Sequence, residues 1–133
     1  MELVKGCLPS GSEIDTSMFG TVTLTISEGL FKSRKIELND HLVAVERLTE
    51  ENKHSLLSKA GWGTLGGLVL GPVGALAGIV FAGNSKEICC ACKLDTGEQF
   101  LVNCDVEEYK KLWKIAKPRM ADAGDAPDLP DNV

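Results

Sequence analysis

The stretch from residue 61 to residue 85, GWGTLGGLVLGPVGALAGIVFAGNS, carries no charged side chain and spaces its small residues regularly. Gly63, Gly67 and Gly71 recur at every fourth position, and so do Gly74, Gly78 and Ala82. Residues four apart share a helix face, so each series makes a flat stripe on which another backbone can pack closely, the pattern of a glycine zipper. At ~1.5 Å per residue, a continuous helix over 61–83 would also cover the ~30 Å hydrocarbon core of a bilayer.

Against a single spanning helix stands Gly71-Pro72 in its middle, a pair that ends one helix and starts another. The two glycine series also fall out of phase there. The sequence therefore predicts a glycine-rich helical hairpin with arms over 50–70 and 72–83, the second too short to cross a membrane. Trp62, beside the first glycines, reads as an anchor of that hairpin. Lys53 and Lys59 precede the stretch and Lys86 follows it, which gives little of the orientation bias of inserted segments. Insertion of 61–83 into a bilayer stands as the alternative.

On the N-terminal side, Val22, Leu24 and Ile26 alternate with three threonines, the pattern of a half-buried strand over 21–26. Ser27-Glu28-Gly29 supplies a turn. Further strands are predicted over 30–38 and 42–48, broken at Asn39-Asp40, which makes an antiparallel meander. Thr49 can cap a helix starting at Glu50. Residues 1–19, with Pro9, Ser10, Gly11 and Ser12 and little periodicity, read as an irregular lead-in.

On the C-terminal side, two strands over 86–94 and 98–104 flank Asp95-Thr96-Gly97. A three-residue loop ending in Gly97 sets Ile88, Cys90, Cys92 and Leu94 on one face with Phe100, Val102 and Cys104, whereas a two-residue loop would mix the faces. Asp105 and Glu108 resemble a capping box, and Tyr109, Leu112, Trp113 and Ala116 recur at helical spacing over 106–116. Pro118 is expected to stop that helix. Residues 118–133 read as a disordered acidic tail, too poor in apolar surface to offset its ordering entropy.

The chain of 133 residues is 44% apolar, enough for one core, and residues 20–117 read as one α+β domain with 61–83 inserted. Its net charge of −5 owes four charges to Asp122, Asp125, Asp128 and Asp131; the rest is nearly balanced, 15 acidic residues against 14 basic. A nearly neutral body argues against nucleic-acid binding, which needs clustered cations to neutralise phosphates. The densest basic run, Lys110, Lys111, Lys114, Lys117 and Arg119, reads as the solvated face and last turn of a helix. The N-terminal residues lack the pattern of a secretory signal, so the expected compartment is the cytoplasm, with reduced cysteines and possible membrane association.

The order of strands, then Leu48-Thr49-Glu50-Glu51-Asn52, then the glycine stretch, then the Asp95-Thr96-Gly97 hairpin and a closing helix resembles small bacterial and phage proteins with a pleckstrin-homology-like sheet interrupted by a glycine-rich hairpin. The resemblance covers residues 18–117. It implies a strongly bent antiparallel sheet closed by a C-terminal helix, in a family that mostly mediates protein or membrane contacts without catalysis. It carries over no functional residues.

Motifs with a chemical reading each meet a simpler one. Gly61-Trp62-Gly63-Thr64-Leu65-Gly66 matches the dinucleotide fingerprint, but a helix-like segment precedes it, and Asn84 and Ser85 stand where the ribose-binding acid belongs. Asp95-Thr96-Gly97 matches the aspartic-protease triplet, and a hairpin turn explains it as well. Cys89 and Cys92 have zinc-knuckle spacing, with Cys104 and Cys7 as further ligands, yet residues three apart on a strand face opposite ways. His41 and His54 sit beside no nucleophile motif.

The sequence thus leads to a non-enzymatic interaction protein with no cofactor and no metal. It would self-associate as a homo-oligomer, or dock onto a protein partner, through Trp62, Gly63, Gly67, Gly71, Gly74 and Gly78. A membrane-associated protein inserting 61–83 is one alternative, and a small phage or mobile-element inhibitor of a host defence protein is another.

Overall fold

The computed structural model describes residues 1–4, 8–9, 11–49, 51, 53–58, 61–63, 65 and 87–122. Along the chain these form β1 (Glu2–Leu3), β2 (Glu13–Thr16), β3 (Val22–Ser27), β4 (Ser33–Glu37), α1 (Leu38–His41), β5 (Leu42–Leu48), α2 (Lys53–Leu57), β6 (Ile88–Leu94), β7 (Gln99–Cys104) and α3 (Val106–Asp122). The strands make two antiparallel sheets, one in the order β1-β7-β6-β5 and one in the order β2-β3-β4. The content is mixed α+β, as the sequence predicts.

The β6–β7 hairpin has the three-residue loop that the pattern requires. Cys92 pairs with Phe100 and Cys90 with Val102, Leu94 and Glu98 close the loop, and Gly97 takes φ +99°, a conformation that β-carbons disfavour. The hairpin is apolar on both faces: Cys89, Ala91 and Leu101 are as buried as Cys90, Cys92, Phe100 and Val102. Strand β3, by contrast, keeps Val22, Leu24 and Ile26 inside and its threonines turned outward, the half-buried alternation expected of it.

The single turn α1 carries the chain from one sheet to the other. Leu38 is fully buried, and Asn39 Oδ1 accepts the Val22 N–H at 2.9 Å, which fixes this corner to the start of β3. Strand β5 then runs antiparallel to β6, with a bulge between Leu42 and Ala44.

Helix α3 starts on the capping box: Asp105 Oδ1 accepts the Glu108 N–H at 2.8 Å and Glu108 Oε1 accepts the Asp105 N–H at 3.1 Å. Its Tyr109, Leu112, Trp113 and Ala116 are buried, and the helix packs on β5 and β6. Burial pushes the Tyr109 phenol up to about 12.

The structure corrects four readings. The helix does not stop at Pro118 but continues through it to Asp122, so residues 118–122 are helical rather than tail. A proline inside a helix costs about 3 kcal/mol. Tertiary contacts offset it: Met120 is buried, and the Arg119 guanidinium donates to the carbonyls of Leu42 (3.2 Å) and Asn39 (2.9 Å). Arg119 is therefore a tie between helix and sheet, not part of a solvated face. The lead-in 1–19 also contains two strands, β1 on β7 and β2 on β3. The strand expected over 30–38 is shorter, Ser33–Glu37, since Leu30 and Phe31 belong to the preceding turn. Residues 123–133 lie outside the described residues.

Candidate functional site

Of the six residues singled out by the sequence, Trp62 and Gly63 are described; Gly67, Gly71, Gly74 and Gly78 lie outside the described residues, as does most of the predicted hairpin. Trp62 and Gly63 sit where the glycine stretch meets the sheet. Trp62 is only 5% exposed, and the Lys93 ammonium stands 4.5 Å from the centre of its ring. A cation over an indole face at that range is attracted by the ring quadrupole.

Gln99, the register partner of Lys93, holds the same segment with its amide. Its Nε2 donates to the Gly61 carbonyl and its Oε1 accepts the Leu65 N–H at 2.8 Å. Leu65 is fully buried. Gly61 takes φ +96°, a conformation that side chains disfavour, and a β-carbon there would come within 2.5 Å of Lys93 Nζ and push the lysine end aside. Gly63 differs: it is exposed, and a β-carbon there would meet nothing within 4 Å. Among the described residues no close approach requires glycine at 63.

The sequence reading missed Lys93 and Gln99. Their signal was present, since Lys93 is the one charged residue in the run ICCACKL and faces Gln99 across the hairpin.

The other motifs resolve structurally. Asp95-Thr96-Gly97 is the β6–β7 turn, clamped from two sides. Asp95 accepts from His41 Nδ1 at 3.0 Å while its own N–H donates to the His41 carbonyl at 2.9 Å. Glu98 accepts from the Thr96 hydroxyl and from Arg34 of β4, and these bonds hold its carboxyl below the usual range. The dinucleotide-like segment follows α2 instead of a strand. Cys89 and Cys92 point to opposite faces, as their register partners Asn103 and Phe100 do. Cys90 Sγ lies 3.4 Å from Cys104 Sγ; that contact together with burial pushes the Cys90 thiol up, which disfavours the reactive thiolate. His54 is exposed on α2.

Among the described residues no group of three or more His, Cys, Asp or Glu side chains is placed to hold a metal, and no helix is long and apolar enough to cross a membrane. Comparison with known proteins returns no matching family model, no matching curated protein and no matching solved structure.

Proposed function

We propose that this is a non-enzymatic interaction protein that self-associates or docks onto a protein partner through the glycine-rich stretch 61–83, on a sheet of pleckstrin-homology-like design. One observation carries the reading: the start of the stretch is built into the sheet, with Trp62 buried under Lys93 and Gln99 bonded to both Gly61 and Leu65. A segment fixed in this way is presented to a partner at lower entropic cost than a loose one. The order of four plus three antiparallel strands followed by a packed helix supports the pleckstrin-homology-like assignment.

Gly63 supplies the test. Its position is exposed and no described residue lies within 4 Å of a β-carbon there, so a side chain at 63 leaves the described fold intact and obstructs an incoming backbone. Gly63→Leu, Gly67→Leu and Gly78→Leu are expected to lower the oligomer mass measured by light scattering, or to abolish capture of the partner, with Gly83→Leu as the edge control. Wild-type mass and wild-type melting point in all three variants would refute the reading. Pelleting with vesicles that depends on Gly67 and Gly78 would favour bilayer insertion of 61–83 instead.

A further inference from the structure

The β2–β3 turn exposes two large apolar side chains, Met18 at 92% and Phe19 at 91%. Among the described residues nothing covers them. The turn itself is hydrogen-bonded inward. Ser17 donates its N–H to the Thr21 carbonyl at 2.8 Å and accepts the Gly20 N–H on its own carbonyl at 3.0 Å, while its Oγ accepts from the N–H groups of Phe19 (3.3 Å) and Thr21 (3.1 Å). A tip whose amides are already paired loses little when it leaves water, whereas unpaired amides would oppose that transfer.

Beside the tip stands the basic face of α3. Gly20, Lys110, Lys111, Lys114, Ile115 and Glu107 line one open hollow, and a β-carbon on Gly20 would lie 3.8 Å from Lys111 Nζ. Three ammonium groups face one carboxylate there, Glu107 being 4.0 Å from Lys110.

We propose that this end of the molecule is a peripheral docking surface for an anionic lipid bilayer, with Met18 and Phe19 entering the headgroup boundary and Lys110, Lys111 and Lys114 contacting acidic headgroups. Three features favour a bilayer over a protein. Two side chains on a convex tip offer far less than the ~800 Å² that each partner buries in a standard protein interface. A bilayer sets no such minimum. Lysines act as point charges without fixed geometry, which suits mobile headgroups. Outside the four aspartates at 122–131 the chain is nearly balanced in charge, so the gathered lysines give an anionic surface a locally attractive site.

The opposite end of β3 carries a second apolar turn, Leu30 and Phe31, but its Arg34 is engaged by Glu28 and Glu98. A flat bilayer meets one end of a strand at a time. At the Leu30–Phe31 end Lys32 and Lys35 stand with Arg34 against Glu28 and Glu98, whereas three lysines face Glu107 alone beside Met18 and Phe19, and this larger excess of positive charge selects the Met18–Phe19 end.

The full chain would be sedimented with phosphatidylcholine vesicles, with and without about 30% phosphatidylserine. At about 0.1 M salt the expected partition onto the anionic vesicles is at least about tenfold higher, falling to the neutral level near 0.5 M. Phe19→Ser with Met18→Ser, and separately Lys110→Gln with Lys111→Gln and Lys114→Gln, are each expected to lower it about tenfold. Leu30→Ser with Phe31→Ser should leave it unchanged. These positions are on the surface, so an unchanged melting curve confirms that each variant is folded. Absence of anionic-vesicle binding, or binding indifferent to both tip and lysine variants, overturns the proposal. A change in the oligomer mass of the vesicle-free protein on Phe19→Ser also overturns it, by making the tip a contact between chains. Because the glycine variants above leave this end intact, its failure and failure of the glycine-stretch reading are separately visible.

Discussion

Strands β3 and β6 are of similar length and each lies between two partners of its own antiparallel sheet, yet they solve different problems. In β3 burial alternates strictly, and its neighbours β2 and β4 turn most of their side chains to water. In β6 every residue except Lys93 is buried, and β7 is nearly as enclosed. A strand covered on both sides holds the domain together, while one covered on a single side leaves its outer face and turns free to meet other surfaces. Stability should therefore concentrate in the four-stranded sheet with α3, and contacts with other molecules at the turns and rims.

The largest effect that could break this contrast is a cavity in the enclosed sheet. Phe100 is fully buried, and Phe100→Ala is expected to cost about 3–5 kcal/mol in denaturant unfolding. A loss below about 1 kcal/mol would mean that the two-sided burial is not a packed core.

Alkaline pH probes the helix side of the same sheet. Tyr109 is the only tyrosine, so absorbance near 295 nm reads one titration. Its phenol is raised in the folded state and ionises near 10 when unfolded. Folding thus binds the proton more tightly; the associated stability is fully present below pH 10 and is lost as pH rises toward about 12. The expected result is a midpoint well above 10 with unfolding in that window, and Tyr109→Phe should resist it. A normal midpoint would show that α3 is not seated on the sheet.

Gln99→Ala sharpens the contrast at the Trp62 anchor. It leaves the Leu65 N–H and Gly61 carbonyl without their partner, at an expected cost of about 1–3 kcal/mol, and Trp62 fluorescence should shift to the red. Removal of the cap with Asp105→Ala should cost about 1 kcal/mol by thermal melting. The smallest effect belongs to the open sheet: Lys35→Ala on exposed β4 should stay within about 0.5 kcal/mol of wild type.

What the sequence displayed follows the range of the forces involved. The β6–β7 loop length and face assignment, the Asp105–Glu108 cap and the buried stripe from Tyr109 to Ala116 are set by neighbours a few residues away, and each was legible. Strands β1 and β2 were not, because Leu3 and Ile14 give too short a run for a period, and their pairing with distant or adjacent strands supplies the order. Pro118 misled for the same reason: a local rule ended the helix, while Arg119 and Met120, bound to another part of the fold, continued it. At the candidate site the sequence marked Trp62 as an anchor of the hairpin, whereas the described contacts seat its segment on the sheet: Lys93 over Trp62, and Gln99 on Gly61 and Leu65, lie more than thirty residues away and were set by topology.

The pairing of Glu2 with Asn103 has a kinetic meaning. The β6–β7 hairpin closes a short loop and can form in microseconds, whereas β1 must find an edge strand roughly a hundred residues downstream, at the entropic cost of a loop of that size. During synthesis β7 is made long after β1, so the first residues wait unpaired while the rest of the chain emerges. The four-stranded sheet is completed last at its β1 edge, and a refolding experiment should find protection of the Val4 amide, bonded to the Leu101 carbonyl, later than protection within the hairpin.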